Sequence, residues 1–224
     1  MALFLLMIVC LEVGKRLFAK AKRLRQILAA DARRLDSRRP ILLLRSFQDD
    51  LTPIGRRSDV RNWRVGSSAD LPLTLEETLE RALGAHGPVI AIGQPGEALP
   101  PAGAAREYVR SEQWLTRVNE LVAECQRVVV IVGRTEGLSL ECASLAHAPT
   151  WPKVVLILPP VERAELLARW QVFAQLPAGA AEPPVGALAA TFTPSAEPRF
   201  VTCQWRDDEC YELAVRWILA QTAA

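Results

Sequence analysis

Four uninterrupted apolar runs of strand length limit what this chain can fold into: Ile41–Leu44, Pro88–Ile92, Val128–Val132 and Val154–Leu158. A strand with one wet face alternates apolar and polar residues, because successive side chains point to opposite sides. A run without alternation belongs to a strand buried on both faces, as in the interior of a parallel sheet. Parallel neighbours need a crossover connection, usually a helix, so helical patterns are expected between the runs.

They are there. Thr74 and Glu77 stand at capping-box spacing, Leu75, Leu79 and Leu83 recur one turn apart, and Gly84 and Gly87 end the pattern. Ser111 caps a helix with Trp114, Val118, Leu121 and Val122 on one face, and that spacing reads Trp114 as core. Gly137–Ala148 and Val161–Leu176 read as further helices, Phe200–Gln204 as an edge-like fifth strand, and Asp207 as the cap of a last helix running to Ala220. Residues 48–73 read as an excursion loop. Residues 177–198, with five prolines, read as a long loop or insertion. The β-α alternation predicts an α/β fold: a doubly wound, flavodoxin-like parallel sheet of five strands in the order 2-1-3-4-5. It occupies residues 38–222 and follows an N-terminal apolar and basic helical segment, residues 1–37.

That segment carries a charge asymmetry that the average hides. The formal net charge of +2 argues against a generic nucleic-acid binder. Yet residues 15–39 hold ten Lys/Arg and two Asp, a balance of +8, which leaves −6 for the rest of the chain. The basic strip follows the apolar opening Met1–Leu11, so the order is wrong for a cleaved secretory signal. The run is also shorter than the roughly 20 residues of a spanning helix. A short anchor, the tail of a longer membrane segment, an interfacial helix and a plain core helix with a basic face are all compatible with it. The reading carried forward is membrane association through residues 1–39, with Lys15, Arg16, Lys20, Lys22, Arg23 and Arg25 facing anionic headgroups and the body on the cytoplasmic side. The five cysteines show no paired spacing, and Cys125, Cys142 and Cys203 adjoin apolar runs, so free thiols in a reduced compartment are expected. With only His86 and His147 and no CxxC, no metal site is expected.

In a 2-1-3-4-5 sheet the default ligand site is the crevice at the carboxyl ends of strands 1 and 3. Arg45–Asp50 follow the first and Gly133–Glu141 the second; both hold Ser, Arg and carboxylates, suited to a small ligand with hydroxyls or phosphates. No Walker loop, GxSxG elbow or GxGxxG fingerprint is present in the sequence.

At these residues the chain resembles the Toll/interleukin-1 receptor (TIR) superfamily. Leu44-Arg-Ser-Phe47 with Asp50 is similar to the first TIR box, Pro95-Gly96 to the Pro-Gly of the loop after strand 2, and Gly137-Leu-Ser-Leu-Glu-Cys142 to the helix that carries the family's glutamate. The stretch Ala91–Glu141 is similar to bacterial membrane-associated TIR-like proteins. The resemblance implies cleavage of the nicotinamide–ribose bond of NAD, with Glu141 as the catalytic carboxylate and NAD as substrate rather than a prosthetic group. It implies nucleotide contacts at Arg45, Ser46, Phe47, Asp50, Gly93, Gln94, Pro95, Gly96, Gly137 and Ser139. It also implies self-association into an oligomer and a role in defence signalling; the charge balance, with the basic strip assigned to a membrane, leaves no nucleic-acid partner expected. Two positions depart from the pattern: Leu140 stands where an aromatic usually precedes the glutamate, and Phe47 replaces a tyrosine. Glu136 is an alternative to Glu141, and Ser46, at a strand end, reads more readily as a turn former than as a ligand contact. A non-catalytic interaction module working through the strand-2 loop, or a nucleotide sensor without turnover, are the other functions these residues fit.

Overall fold

The structure, a computed structural model, describes residues 2–57, 73–94, 96–97, 99–145, 151–173, 181–193, 195 and 197–221. Along the chain run α1 (Ala2–Leu24), α2 (Ala29–Leu35), β1 (Ile41–Leu44), β2 (Pro53–Ile54), β3 (Leu73–Thr74), α3 (Leu75–Gly84), β4 (Val89–Ile92) and β5 (Ala105–Glu107). There follow α4 (Trp114–Glu124), β6 (Arg127–Ile131), α5 (Glu136–Leu145), β7 (Val154–Ile157), α6 (Arg163–Val172), β8 (Ala187–Phe192), β9 (Pro198–Thr202) and α7 (Asp208–Gln221).

All four apolar runs are strands, and β1, β4 and β7 are buried along their whole length. They lie side by side as β4-β1-β6-β7, all parallel. Leu42 and Leu44 face one hydrophobic cluster with Val118, Leu121, Leu138 and Leu166 from α4, α5 and α6. Ile41 and Leu43 face a second cluster, with Leu75 and Leu79 of α3 and Tyr211 and Val215 of α7. Helices therefore cover both faces, which is why these runs show no polar alternation. The capping box is complete: Thr74 accepts from Glu77 N, and the Glu77 side chain accepts from Thr74 N. Asp207 caps α7 through Oδ1, which accepts from Cys210 N at 2.9 Å.

Among the described residues the sheet has seven strands, not five, in the order β5-β4-β1-β6-β7-β8-β9. Short β5 adds a parallel edge beside β4. On the other side β8 pairs antiparallel with β7, and β9 antiparallel with β8. The expected loop at 177–198 thus contains a fully buried strand, Ala187–Phe192. Its alanine-rich run looked like a poor strand because small residues lack β-propensity, but burial between two neighbours overrides that preference. The N-terminal segment also reaches into the body. Arg106 N donates to Ile27 O at 3.2 Å, and Ala29 and Ala32 are buried in the core, so folded structure begins well before residue 38. Cys203 and Cys210 are joined by a disulfide, against the expectation of free thiols: the strand-to-helix turn after β9 brings their Cα atoms to 6.4 Å. Cys125 and Cys142 are buried free thiols. Among the described residues no helix is long and apolar enough to cross a membrane.

Candidate functional site

The loops after β1 and β4 and the starts of α4 and α5 converge at the carboxyl end of the sheet. Between them lies a two-chambered crevice. The inner chamber, about 210 Å³, is walled by Phe47, Ile92, Gly93, Val109, Ser111 and Trp114. The outer one, about 420 Å³, is walled by Phe47, Gln48, Asp50, Gln94, Glu97 and Arg23 among others. Phe47 divides the two. Gly93 is required by contact: a Cβ there would sit 2.4 Å from the Tyr108 ring. Gly96 has φ +77°, a conformation that favours glycine.

Behind the inner chamber, Trp114 Nε1 donates to Glu141 Oε1 at 3.1 Å. Glu141 is only 6% exposed. It lies in the second turn of α5, whereas Glu136 occupies the exposed first turn, so complementing the helix dipole accounts for Glu136 and not for Glu141. Burial pushes the Glu141 carboxyl up to about 7, against the lowering effects of the Trp114 hydrogen bond and of Arg45. Glu141 is not a wall of either chamber; it reaches the crevice through the indole. Trp114 is therefore a site residue and not simply core. Its helical spacing was the only sequence signal it gave, and that signal is shared by every buried aromatic.

Beneath the crevice floor lies a buried charge quartet. Arg45 Nε donates to Glu76 Oε2 at 2.7 Å and lies 2.8 Å from Asp50 Oδ1. The Asp50 contact is an ion pair in which Oδ1 accepts no hydrogen bond among the described residues. Arg106 NH1 is 2.7 Å from Glu76 Oε1, which also accepts from Ala104 N at 3.0 Å. Burial raises the Asp50 carboxyl to about 6, against the pull of Arg45. The Arg45 guanidinium sits 5.6 Å from the centre of the Phe47 ring, propping the divider from below. Glu76 and Arg106 were not singled out from the sequence; charged residues at a helix start and in a loop read as solvated, and only the fold reveals their burial.

The expected residues thus separate by role. Phe47, Gly93, Gln94 and Asp50 line the crevice, while Arg45 supports it from below. Ser46 is the turn former: its Oγ accepts from Gln48 N at 3.2 Å. Ser139 Oγ donates back to Thr135 O, just before its own helix, at 3.1 Å. Gly137 lies beside the Trp114 ring, where a Cβ would make ordinary contact at 3.7 Å. Pro95 lies outside the described residues. Among the described residues no cluster of three or more His, Cys, Asp or Glu is placed to hold a metal ion. No family model, no curated protein and no solved structure matches the chain.

The N-terminal helix touches this region. Arg23 donates to Pro100 O at 3.0 Å and to Leu99 O, Gln26 donates to Gly103 O at 2.7 Å, and Lys22 pairs with Glu77 at 2.8 Å. Further out, Phe4, Leu5, Leu6, Met7, Val9 and Val13 are each at least half exposed.

Proposed function

We propose that this protein is a membrane-tethered, cytoplasmic TIR-like domain that hydrolyses the N-glycosidic bond of NAD or a related nucleotide. The observation that carries the reading is Glu141: a buried carboxyl with a raised proton affinity, held by an indole beside an aromatic-lined crevice at the carboxyl end of a parallel sheet. In the reaction the C1′–N bond breaks and its electron pair leaves with the pyridine ring, neutralising the pyridinium. Water adds to the ribosyl cation and releases one proton. A carboxylate at Glu141 stabilises the cation electrostatically, as a glycosidase carboxylate does, and accepts that proton. Phe47 and Trp114 offer flat surfaces for the base. Because Glu141 stands behind Trp114, access to it requires the indole to move; the self-association implied by the resemblance is the event assigned to that step.

The tether is α1. An exposed apolar stretch followed by basic turns suits a helix lying in the headgroup plane, with lysines and arginines on anionic lipid.

The test uses the full chain at high concentration with NAD, measuring nicotinamide. Release by wild type and its loss in Glu141→Gln supports the reading; no release by the folded, clustered wild type overturns it, and equal release by both discards Glu141. The screening of Glu141 by Trp114 favours one other reading, a sensor that binds the nucleotide without turnover; thermal stabilisation by NAD with no nicotinamide formed identifies it.

A further inference from the structure

The N-terminal helix holds one wall of the crevice. Arg23, in the last turn of α1, donates from Nε to Pro100 O at 3.0 Å and from a terminal nitrogen to Leu99 O, and it also lines the outer chamber. Three residues on, the Gln26 amide holds Gly103 by both backbone groups: Nε2 donates to Gly103 O at 2.7 Å, and Gly103 N donates to Oε1 at 3.2 Å. Among the described residues, every hydrogen bond made by the backbone of residues 99–103 goes to Arg23 or Gln26. Pro100 and Pro101 have no N–H, so this segment has few donors of its own. Leu99 and Pro101 are walls of the outer chamber, so the shape of that chamber depends on where α1 sits.

Yet α1 is lightly held. None of its described side chains is buried, and a cavity of about 280 Å³ lies between Phe18 and Ala19 on the helix and Leu51, Thr74 and Ala102 on the body. Among the described residues, its polar contacts with the body come from Lys22, paired with Glu77 at 2.8 Å, and from Arg23. Arg23 sets a full positive charge against two neutral carbonyls. A phosphodiester offers the same fork charged oxygens, and a hydrogen bond to an ionised acceptor is roughly twice as strong as one to a neutral acceptor. The exposed side chains of Phe4, Leu5 and Leu6 belong to the same helix, and a helix lying in the headgroup plane meets phosphates along its whole length.

We propose that anionic lipid headgroups compete with the loop after β4 for Arg23, which with Gln26 is a positioning residue of the crevice, so that lipid binding loosens the outer chamber and opposes nucleotide binding there. The inference rests on the tether and the nucleotide site proposed above. Linkage requires the converse as well: nucleotide weakens the hold on lipid by the same factor.

Hydrogen exchange over residues 99–104 of the full chain reads the clamp without any nucleotide. It should speed up about fivefold or more on phosphatidylserine vesicles and in Arg23→Ala. Gln26→Ala, which keeps every cation, should speed it as well. Phosphatidylcholine vesicles, inorganic phosphate and Arg16→Ala, which removes an exposed cation of α1, should leave it unchanged. Calorimetry with ADP-ribose, which has no nicotinamide bond to break, reads the consequence. Arg23→Ala should bind it about fivefold more weakly or worse, and phosphatidylserine vesicles should weaken the wild type to the same extent. The variant should then show no further response to the vesicles; a purely structural role for Arg23 would leave that response intact. Circular dichroism of each variant establishes folding. Unchanged exchange on vesicles with which the chain floats overturns the proposal, as does an Arg23→Ala chain that exchanges and binds ADP-ribose like the wild type. Inorganic phosphate acting as strongly as the vesicles overturns lipid as the competitor, and a chain that does not float overturns the tether and the proposal together. A wild type whose loop loosens on lipid but which never binds ADP-ribose supports the clamp and overturns the nucleotide reading, which separates the two failures.

Discussion

The indole of Trp114, on α4, donates a hydrogen bond to the carboxyl of Glu141, on α5, at 3.1 Å. This contact joins an aromatic wall of the crevice to a strongly desolvated carboxyl beside it, and two forces on that carboxyl oppose each other. Burial favours the neutral acid and the indole N–H favours the anion; burial wins, leaving the group near half-ionised at neutral pH.

The first prediction concerns pH and stability. The carboxyls of Glu141 and Asp50 both have proton affinities raised in the folded state, to about 7 and about 6. The unfolded chain loses these protons first as pH rises, so the stability they contribute is complete below the unfolded values near 4 and is lost as pH climbs through 6 and 7. For Glu141 the loss is roughly 3 kcal/mol by the conversion of pK units into free energy. Glu141→Gln keeps an acceptor for Trp114 and has no charge to bury. It should leave urea stability nearly unchanged at pH 4.5 and raise it at pH 8.

The second concerns Trp114. Phenylalanine preserves most of the ring and removes the donor. A hydrogen bond to a charged acceptor contributes about 1.5–3 kcal/mol, so Trp114→Phe should move the Glu141 midpoint upward by roughly 1–2 pH units. Carboxyl chemical shifts followed through the titration measure this directly. If the proposed hydrolysis is present, its rate should rise with pH through about 7 in the wild type and only at higher pH in the variant.

How much of this was legible in the sequence differs by element. Ile41–Leu44 and Val128–Val132 announced a buried parallel sheet because burial on both faces erases the polar alternation. The strand Ala187–Phe192 did not, because alanines carry no strand preference and its place is fixed by β7 and β9, distant in sequence. In the crevice, Phe47, Gly93 and Asp50 were found because they follow strand ends, where α/β sheets expose their loops. Trp114, Glu76 and Arg106 were missed for one reason. Their roles depend on partners at long separation, Trp114 on Glu141 and Glu76 on Arg45 and Arg106, and local spacing does not encode such pairings.

The third prediction separates buried from exposed charge. Glu76 serves two buried guanidiniums, Arg45 and Arg106, whereas the Asp36–Arg38 pair at 2.6 Å is largely exposed. Glu76→Gln leaves Arg106 without its carboxylate partner and Arg45 with Asp50 alone, and should cost about 3–5 kcal/mol. Asp36→Asn should leave stability nearly unchanged, because solvent screens an exposed pair. Urea melts of the two variants side by side check the contrast.

The fourth concerns Gly93. A methyl group there meets the Tyr108 ring, whose hydroxyl donates to Glu97 at 2.8 Å. Gly93→Ala should push the ring outward, break that hydrogen bond and cost about 1–3 kcal/mol. Tyr108→Ala makes room for the methyl, so the double variant should be less destabilised than the sum of the singles by 0.5 kcal/mol or more. Strict additivity would mean that the two side chains do not compete for the same space.

The last prediction divides the N-terminal segment at the point where it enters the core. Residues 2–24 form α1, whose outer turns touch little of the body, while Ala29 and Ala32 are buried and Leu28 bridges to Arg106 at the edge of the sheet. A chain beginning at Gln26 keeps that edge covered. It loses the Lys22 and Arg23 contacts, which are partly exposed and contribute little each. It should therefore fold with stability within about 2 kcal/mol of the full chain and fail to float with anionic vesicles, because both the apolar face and the basic turns are gone. A chain beginning at Asp36 uncovers β5 and the floor under Ala105, and removes two buried alanines together with the backbone bond from Arg106 to Ile27. It should lose several kcal/mol more or not fold. Vesicle flotation of the chain beginning at Gln26 equal to that of the full chain would exclude α1 as the tether, and equal stability of the two truncated chains would place the boundary of the body at residue 36 after all.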